Sequence, residues 1–436
     1  MLDAAGIALA STRYDFAHKP LAGLQALGAA GEVPVLGMPA RMNLRDAATM
    51  NGYLIHGLDF DDTHIAGIIH PTASVLPAVL STAAMTGANG REMLTAYVVG
   101  IETATRIGAC AKSAFHQVGF HPTGMIGVFG CVLGAGRLLG LNVAQLAHAQ
   151  GLAVSMAAGA MEFVEDGAWN KRFHPGWAAS AALTAVALAR EGFIGATRPY
   201  DGRYGLFNIF VGKYTDWVDL TDISTGLGIT WELLDTAIKP FPTCHFTHAA
   251  IDCALALRER CPADRIESIE ILVPEQVFQV ICEPEANKLR PKNDYDAKFS
   301  VQYLVVTALV HGVLGLKELE PACLTDPAAL ALADRSTHAA FADSLFPKAY
   351  FRRGDGHAEG RHHPRALGTR EPRRRRPAAG ECRDRRQVPG QRRPLGRAEQ
   401  GRPDGEIAAG ARRDPGGGRR LRPLLRSLTW TPSRNA

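Results

Sequence analysis

The sequence predicts a mainly α protein, with a large all-helical domain over residues 1–237 and a smaller α+β domain over 238–350. Three observations carry this. Apolar residues recur at spacings of three and four through most of the first 235 positions, as in helices that bury one face. Alternation first appears at Arg265–Val273 (RIESIEILV), after the break at Lys239-Pro240-Phe241-Pro242. Hydrophobic residues make up 46% of the 436, enough for a sizeable core and too many for a disordered body.

Met1–Leu9 and Leu21–Ala30 read as short helices. Leu44–Leu58 is rich in Ala, Met and Leu at helical spacing, and Pro71–Met85 reads as a buried helix. Gly90–Gly108 follows the turn signal Ala88-Asn89-Gly90, with Glu92 in the first turn, where the helix dipole favours an acid. Gly124–Leu139 carries Gly at 124, 127, 130, 134 and 136. That spacing on an apolar run is read as close helix packing, and its likeness to a nucleotide loop is superficial. Gln145–Ala160 and Ala178–Arg190 continue the helical pattern. In the second domain Arg265–Val273 reads as a strand, and Phe299–Val310 and Ala328–Ala342 read as helices.

The net charge of +5 joins two unlike parts. Residues 1–350 hold 25 basic and 34 acidic side chains, a charge of −9, whereas residues 351–436 hold 23 Arg, no Lys and 9 acids, a charge of +14. The body is therefore acidic, and the whole-chain charge says nothing of its partners. Arg, Gly and Pro account for 45 of the last 86 residues, which cannot bury a core. A basic arm for nucleic acid is one reading of this tail. Against it, Phe351 and Trp430 are its only aromatics. Arg with Ala, Gly and Pro but no Lys is what a GC-rich gene yields out of frame, so the tail is expected to be aberrant or disordered. Nucleic acid is not the expected partner. The N-terminus has no signal-peptide pattern, no stretch reads as a membrane span, and the eight Cys have no metal-site spacing. The expected compartment is a reducing cytoplasm.

Four clusters could do chemistry. Asp59-Phe60-Asp61-Asp62-Thr63-His64, followed by His70-Pro71-Thr72, puts carboxylates and imidazoles between two apolar helices, where they can converge and move protons. Capping by Asp62 or Thr63 is the plainer alternative. Mg²⁺ at Asp59, Asp61 and Asp62 is disfavoured because adjacent acids on a helix diverge. His121, before Pro122, sits where a helix start favours a bound carboxylate. Asn170–Gly176 (NKRFHPG) is a basic cluster that could clamp an acidic substrate or be solvated charge. Lys239–His248 (KPFPTCHFTH) offers Cys244 beside His245 as a thiol nucleophile, or His245 and His248 to zinc; neighbours rarely point together, and further zinc ligands are not spaced for it. Tyr303 opens an apolar helix and on pattern belongs to a core.

Taken in order, His56–Thr63 (HGLDFDDT), His70–Pro77 (HPTASVLP), Gly119–Gly124 (GFHPTG), Gly134–Gln145 (GAGRLLGLNVAQ), Lys171–Gly176 (KRFHPG), Lys239–His245 (KPFPTCH) and Lys298–Tyr303 (KFSVQY) resemble the MmgE/PrpD family. The resemblance covers about residues 1–350. It implies a helical domain with an α+β lid, and a cofactor-free, metal-free enzyme for small di- and tricarboxylates, often a homodimer. It also implies a helix ahead of the segment like Met1–Leu9. It places Asp59, Thr63, His70, His121, Lys171, Lys239 and Tyr303 on the cleft. The family's decarboxylase has a lid histidine whose position falls on Cys244 without a gap and on His245 only with a local shift. Its Thr63-to-His70 interval is also one residue shorter. Both departures weaken the decarboxylase reading, and the activity that gives the family its identity implies first a hydro-lyase acting on an acid of the 2-methylcitrate type. An iminodisuccinate-type epimerase comes next and a cis-aconitate-type decarboxylase third. In the expected mechanism, Lys171 and Lys239 neutralise substrate carboxylates and Asp59 and His70 exchange protons. Thr63 and His121 orient the substrate, and Tyr303 closes the lid side.

Overall fold

A computed structural model describes residues 1–28, 30–259, 261–342, 344, 346 and the strand 367–369. Eight main helices fill the first half: α1 (Leu2–Ser11), α2 (Asp15–Leu27), α3 (Leu44–Ile55), α4 (Pro71–Thr86), α5 (Gly90–Cys110), α6 (Pro122–Leu138), α7 (Val143–Ala153) and α8 (Asn170–Arg190). The mainly α class predicted from periodicity is the class observed.

Local chemistry sets several of their ends. Asn43 caps α3 by accepting from the Asp46 amide. Asn89 with Glu92, and Asn142 with Gln145, close reciprocal capping boxes on α5 and α7. Pro71 and Pro122 open α4 and α6, where a missing N–H costs nothing. Gly87 ends α4 in the left-handed region at φ +70°.

Four boundaries differ from expectation for physical reasons. The second helix starts six residues early, at Asp15, and carries Pro20 inside. The helix expected through Leu58 stops at Ile55, because the chain turns at His56 to deliver the acidic cluster. The one expected to reach Ala160 stops at Ala153; Ala160 instead bridges Phe120, and the Gly159 carbonyl accepts from the His121 amide. Helix α8 starts eight residues before Ala178, running through Pro175-Gly176, so the basic cluster forms its first two turns.

Helices α3, α4, α6 and α8 pack against one another, with α5 on α4 and α6. Small residues allow this. A Cβ at Gly130 would lie 2.4 Å from the Gly100 carbonyl oxygen, so α5 and α6 touch backbone to backbone. The glycine run of α6 is thus a packing surface, as its spacing predicts.

Residues 241–333 gather around a second core, which also takes in Ile68, Met161, Phe163 and Val164. Helices α9 (His248–Arg258) and α10 (Val301–His311) pack there beside the strand Ile269–Val273. The helix expected over Ala328–Ala342 is instead a short helix, Pro327–Ala333, followed by a strand, Ser336–Ala340. The alanines suggested helix, but residues 336–340 pair in parallel with Ile269–Val273, and the backbone pairing wins. Leu367–Thr369, within the expected tail, pairs antiparallel with the same central strand. The rest of that tail lies outside the described residues. Among the described residues, no helix is long and apolar enough to cross a membrane.

Candidate active site

Helix α3 ends at His56, and the chain then turns through Asp59, whose φ of +52° is costly for a residue with a Cβ. Arg172 holds this turn. Its Nε donates to the Gly57 carbonyl at 2.8 Å, its Nη2 pairs with Asp294 at 3.0 Å, and its guanidinium lies between the rings of Phe16 and Tyr295, 4.0 Å from each. A two-residue ladder, Thr63 with Ala237 and His64 with Thr236, then draws the start of the lid segment alongside.

The result is a carboxylate between two ammonium groups. Asp59 is fully buried; Lys171 donates to its Oδ1, and Lys239 Nζ stands 3.4 Å from its Oδ2. Lys239 also donates to the carbonyls of Asp59 at 2.9 Å and Thr243 at 3.0 Å. Burial alone would raise the Asp59 carboxyl, but Lys171 and Lys239, helped by His70 and His56, outweigh it and hold it well below the usual range.

Imidazoles face this pair. His70 precedes Pro71, and its amide donates to Thr123 Oγ1 at 3.0 Å, tying the starts of α4 and α6. Its Nδ1 lies 2.9 Å from the Asp62 carbonyl and 3.4 Å from Thr63 Oγ1; its Nε2 lies 3.9 Å from Asp59 Oδ1. His121 precedes α6, and its Nδ1 is 3.0 Å from Nδ1 of His174. His56 Nδ1 is held by Asp61 at 2.8 Å. Burial, then the charges of Lys239 and Lys171, push His70 well below its ordinary value, and burial with Lys171 does the same for His121. Burial also lowers His56, against the pull of Asp61. Asp62, bonded to Thr72, is raised by burial to about 7.

The predicted residues divide. Asp59, Thr63, His70, His121, Lys171 and Lys239 converge. Cys244 and His245 lie on the lid segment, and both feel the charges of Asp59 and Lys239. Burial raises the Cys244 thiol, which argues against a thiolate nucleophile. His245 stacks on His248 with centroids 4.9 Å apart, and neither joins a metal-competent group among the described residues. Tyr303 is a correction. Its ring is buried in the second core, and its hydroxyl donates to the Cys323 carbonyl at 3.0 Å. Its contacts, to the Glu318 and Cys323 carbonyls, lie within the second core and not with the residues around Asp59. Sequence reasoning missed His56 and His174 as members, and it placed Asp61 in the cluster without a role. His174 is three residues beyond Lys171, and the same-face rule would have found it had the helix been started at Asn170. Lys298 was also missed: its Nζ donates to the Pro242 carbonyl at 2.8 Å, its carbonyl accepts from the Cys244 amide, and burial pushes its ammonium down to about 7.

With this geometry in view, comparison with known proteins becomes decisive. The MmgE/PrpD N-terminal domain matches residues 1–217, and the MmgE/PrpD C-terminal domain matches 241–358. The chain belongs to the MmgE/PrpD family. It is 26% identical over 357 residues to "Cis-aconitate decarboxylase-like protein oryM" of Aspergillus oryzae, covering 77% of this chain and 73% of that protein. It is 30% identical to mouse cis-aconitate decarboxylase, covering 72% of this chain and 64% of the relative, and 31% identical to the human enzyme, covering 61% and 55%. This MmgE/PrpD chain thus spans 55 to 73% of the length of these three relatives.

Buried neutral imidazoles make an MmgE/PrpD protein of this kind sensitive to acid. Burial pushes His64, His116 and His245 down to about 4 and His174 to about 3. An unfolded His takes its proton near about 6.5. Below that pH the unfolded chain binds more protons than the folded one, so stability is fully present above about 6.5 and is lost as pH falls towards about 4. Each such group contributes a slope of up to about 1.4 kcal/mol per pH unit. Urea midpoints are expected to fall steadily from about pH 7.5 to 5; a flat profile would mean these imidazoles charge inside the fold.

Proposed function

We propose that this chain is a lyase that breaks a bond next to a carboxylate of a small di- or tricarboxylic acid. One observation carries the reading: a carboxylate, two ammonium groups and three uncharged imidazoles share one buried space. Lys171 and Lys239 can exchange Asp59 for substrate carboxylates. The incoming negative charge raises the proton affinity of His70 and His121, which turns weak bases into useful ones. His70 then removes the proton next to a carboxylate, the ammonium groups hold the charge that develops, and the hydroxyl leaves as water on taking a proton from the His70 imidazolium or from His121. Thr63 fixes the His70 ring.

Within the lyases we propose a hydro-lyase acting on an acid of the 2-methylcitrate type. Cys244, a neutral thiol, stands where the resemblance places the decarboxylase's lid histidine, and this supports loss of water over loss of CO₂. Decarboxylation of a cis-aconitate-like acid is the second reading, favoured by the names of the relatives. In this proposal the enzyme works as a homodimer in a reducing cytoplasm; none of the seven described cysteines is in a disulfide.

Incubation with 2-methylcitrate and, separately, cis-aconitate in D₂O distinguishes these readings. The expected result is an unsaturated acid from the first, with deuterium exchanged next to a carboxylate and the exchange lost in His70→Ala. CO₂ from the second would replace dehydration with decarboxylation. Inversion without either loss would make the enzyme an epimerase. No exchange with either acid would remove the lyase reading.

A further inference from the structure

The imidazoles around Asp59 have a second property that proton transfer does not require. One ring nitrogen from each of His56, His70 and His121 lies within 4.8 Å of the others, and Asp59 and Asp61 bring a carboxylate oxygen within the same limit of His56 and His70. All three rings are buried. Each is gripped through Nδ1: His56 by the Asp61 carboxylate, His70 by the Asp62 carbonyl and His121 by the His174 ring. Nε2 of His56 and of His121 is buried with no hydrogen-bond partner. A carboxylate or carbonyl on one ring nitrogen leaves the other to a metal, as at His56 and His70; His121 meets this where His174 Nδ1 is the acceptor.

We infer that His56, His70 and His121 form a binding site for a borderline transition-metal dication, Zn²⁺ above all. Three imidazole nitrogens suit zinc, which takes a small ligand at its fourth tetrahedral position, and not Mg²⁺ or Ca²⁺, which take oxygen ligands. The site differs from both metal arrangements that the sequence raised, the adjacent acids 59, 61 and 62 and the pair His245 with His248. Lys171 and Lys239 do not forbid it. Both pair with Asp59, which lies 3.9 Å from His70 Nε2, so a carboxylate beside the imidazoles offsets their charge. Zinc binding is independent of which reaction the enzyme performs. It becomes inhibitory under the proposed function, because an acid substrate needs the same imidazoles.

Chelator-treated full-length protein is titrated with Co²⁺, whose visible bands are strong when tetrahedral, and with Zn²⁺ against a chromophoric chelator. Intense Co²⁺ bands are expected, along with zinc binding weakened at least about 10-fold in His56→Gln and in His121→Gln, as loss of a ligand or its support requires. His148→Gln, at a half-buried site elsewhere, leaves it unchanged. Wild-type Co²⁺ spectra without tetrahedral bands, or both variants binding zinc like wild type, would overturn the inference. Should either variant fail to fold, X-ray absorption of zinc-loaded wild type decides: imidazole nitrogens at about 2.0 Å support the site, and oxygen ligands alone exclude it. Zinc bound as inferred with no exchange from any acid would leave this site standing and remove the lyase reading.

Discussion

Asp59→Asn is expected to destabilise the protein by about 3 kcal/mol and to lower turnover by about 10²- to 10⁴-fold. Asp59 is the anion that Lys171 and Lys239 share, and Lys171, Lys239 and Asp59 are all buried. The amide removes that charge without changing the shape, leaving two ammonium groups out of water with no counter-ion. Burial already lowers the Lys239 ammonium, and loss of Asp59 removes the largest charge that opposes that. The variant's deficit therefore shrinks as pH rises and Lys239 sheds its proton. A small polycarboxylate such as citrate supplies the missing charge, so it should raise the urea midpoint of the variant more than that of wild type. Equal midpoints for variant and wild type would mean the lysines do not depend on Asp59. A midpoint that drops without citrate rescue would mean the space between them does not admit an acid.

The sequence exposes part of this centre for a clear reason. Asp59, Thr63, His70 and His121 stand at helix ends, where polar residues interrupt long apolar runs, and such interruptions are visible without coordinates. Lys171 and Lys239 are visible too, as cations in an acidic body. What pattern reasoning cannot supply is which polar residues are turned inward by contacts far along the chain. Arg172 looks like the twin of Lys171, yet it reaches Gly57 and Asp294 and holds the Asp59 turn in place. Tyr303 errs the other way. The family motif around it suggested a cleft, whereas its place on an apolar helix already pointed to a core. The lid strand Ser336–Ala340 was hidden because alanine favours helix, and only its partner strand reveals the pairing. The close approach of α3 and α8 is equally illegible, since Pro175-Gly176 reads as a break.

Gly176→Ala tests that approach, and it is expected to cost about 1–3 kcal/mol of stability and about 10²-fold in turnover. Helix α3 delivers Asp59 and α8 carries Lys171, so the distance between the two helices sets the ion pair. A Cβ at Gly176 would sit 2.1 Å from the Thr49 carbonyl oxygen, and one at Gly52 would sit 2.6 Å from the Gly176 Cα. Both clashes are with backbone, so no rotamer change relieves them and the helices must separate. Separation lengthens the Lys171–Asp59 contact and loosens the grip of Arg172 on Gly57. Gly23→Ala in α2 is the matched control, because a Cβ there meets nothing within 4 Å. The same substitution in that helix is expected to stabilise by about 0.5–1 kcal/mol, since alanine loses less backbone freedom than glycine. Opposite signs for one chemical change would show that steric spacing, and not helix propensity, governs position 176. A Gly176→Ala enzyme with wild-type turnover would mean that the ion pair does not depend on how closely α3 and α8 approach.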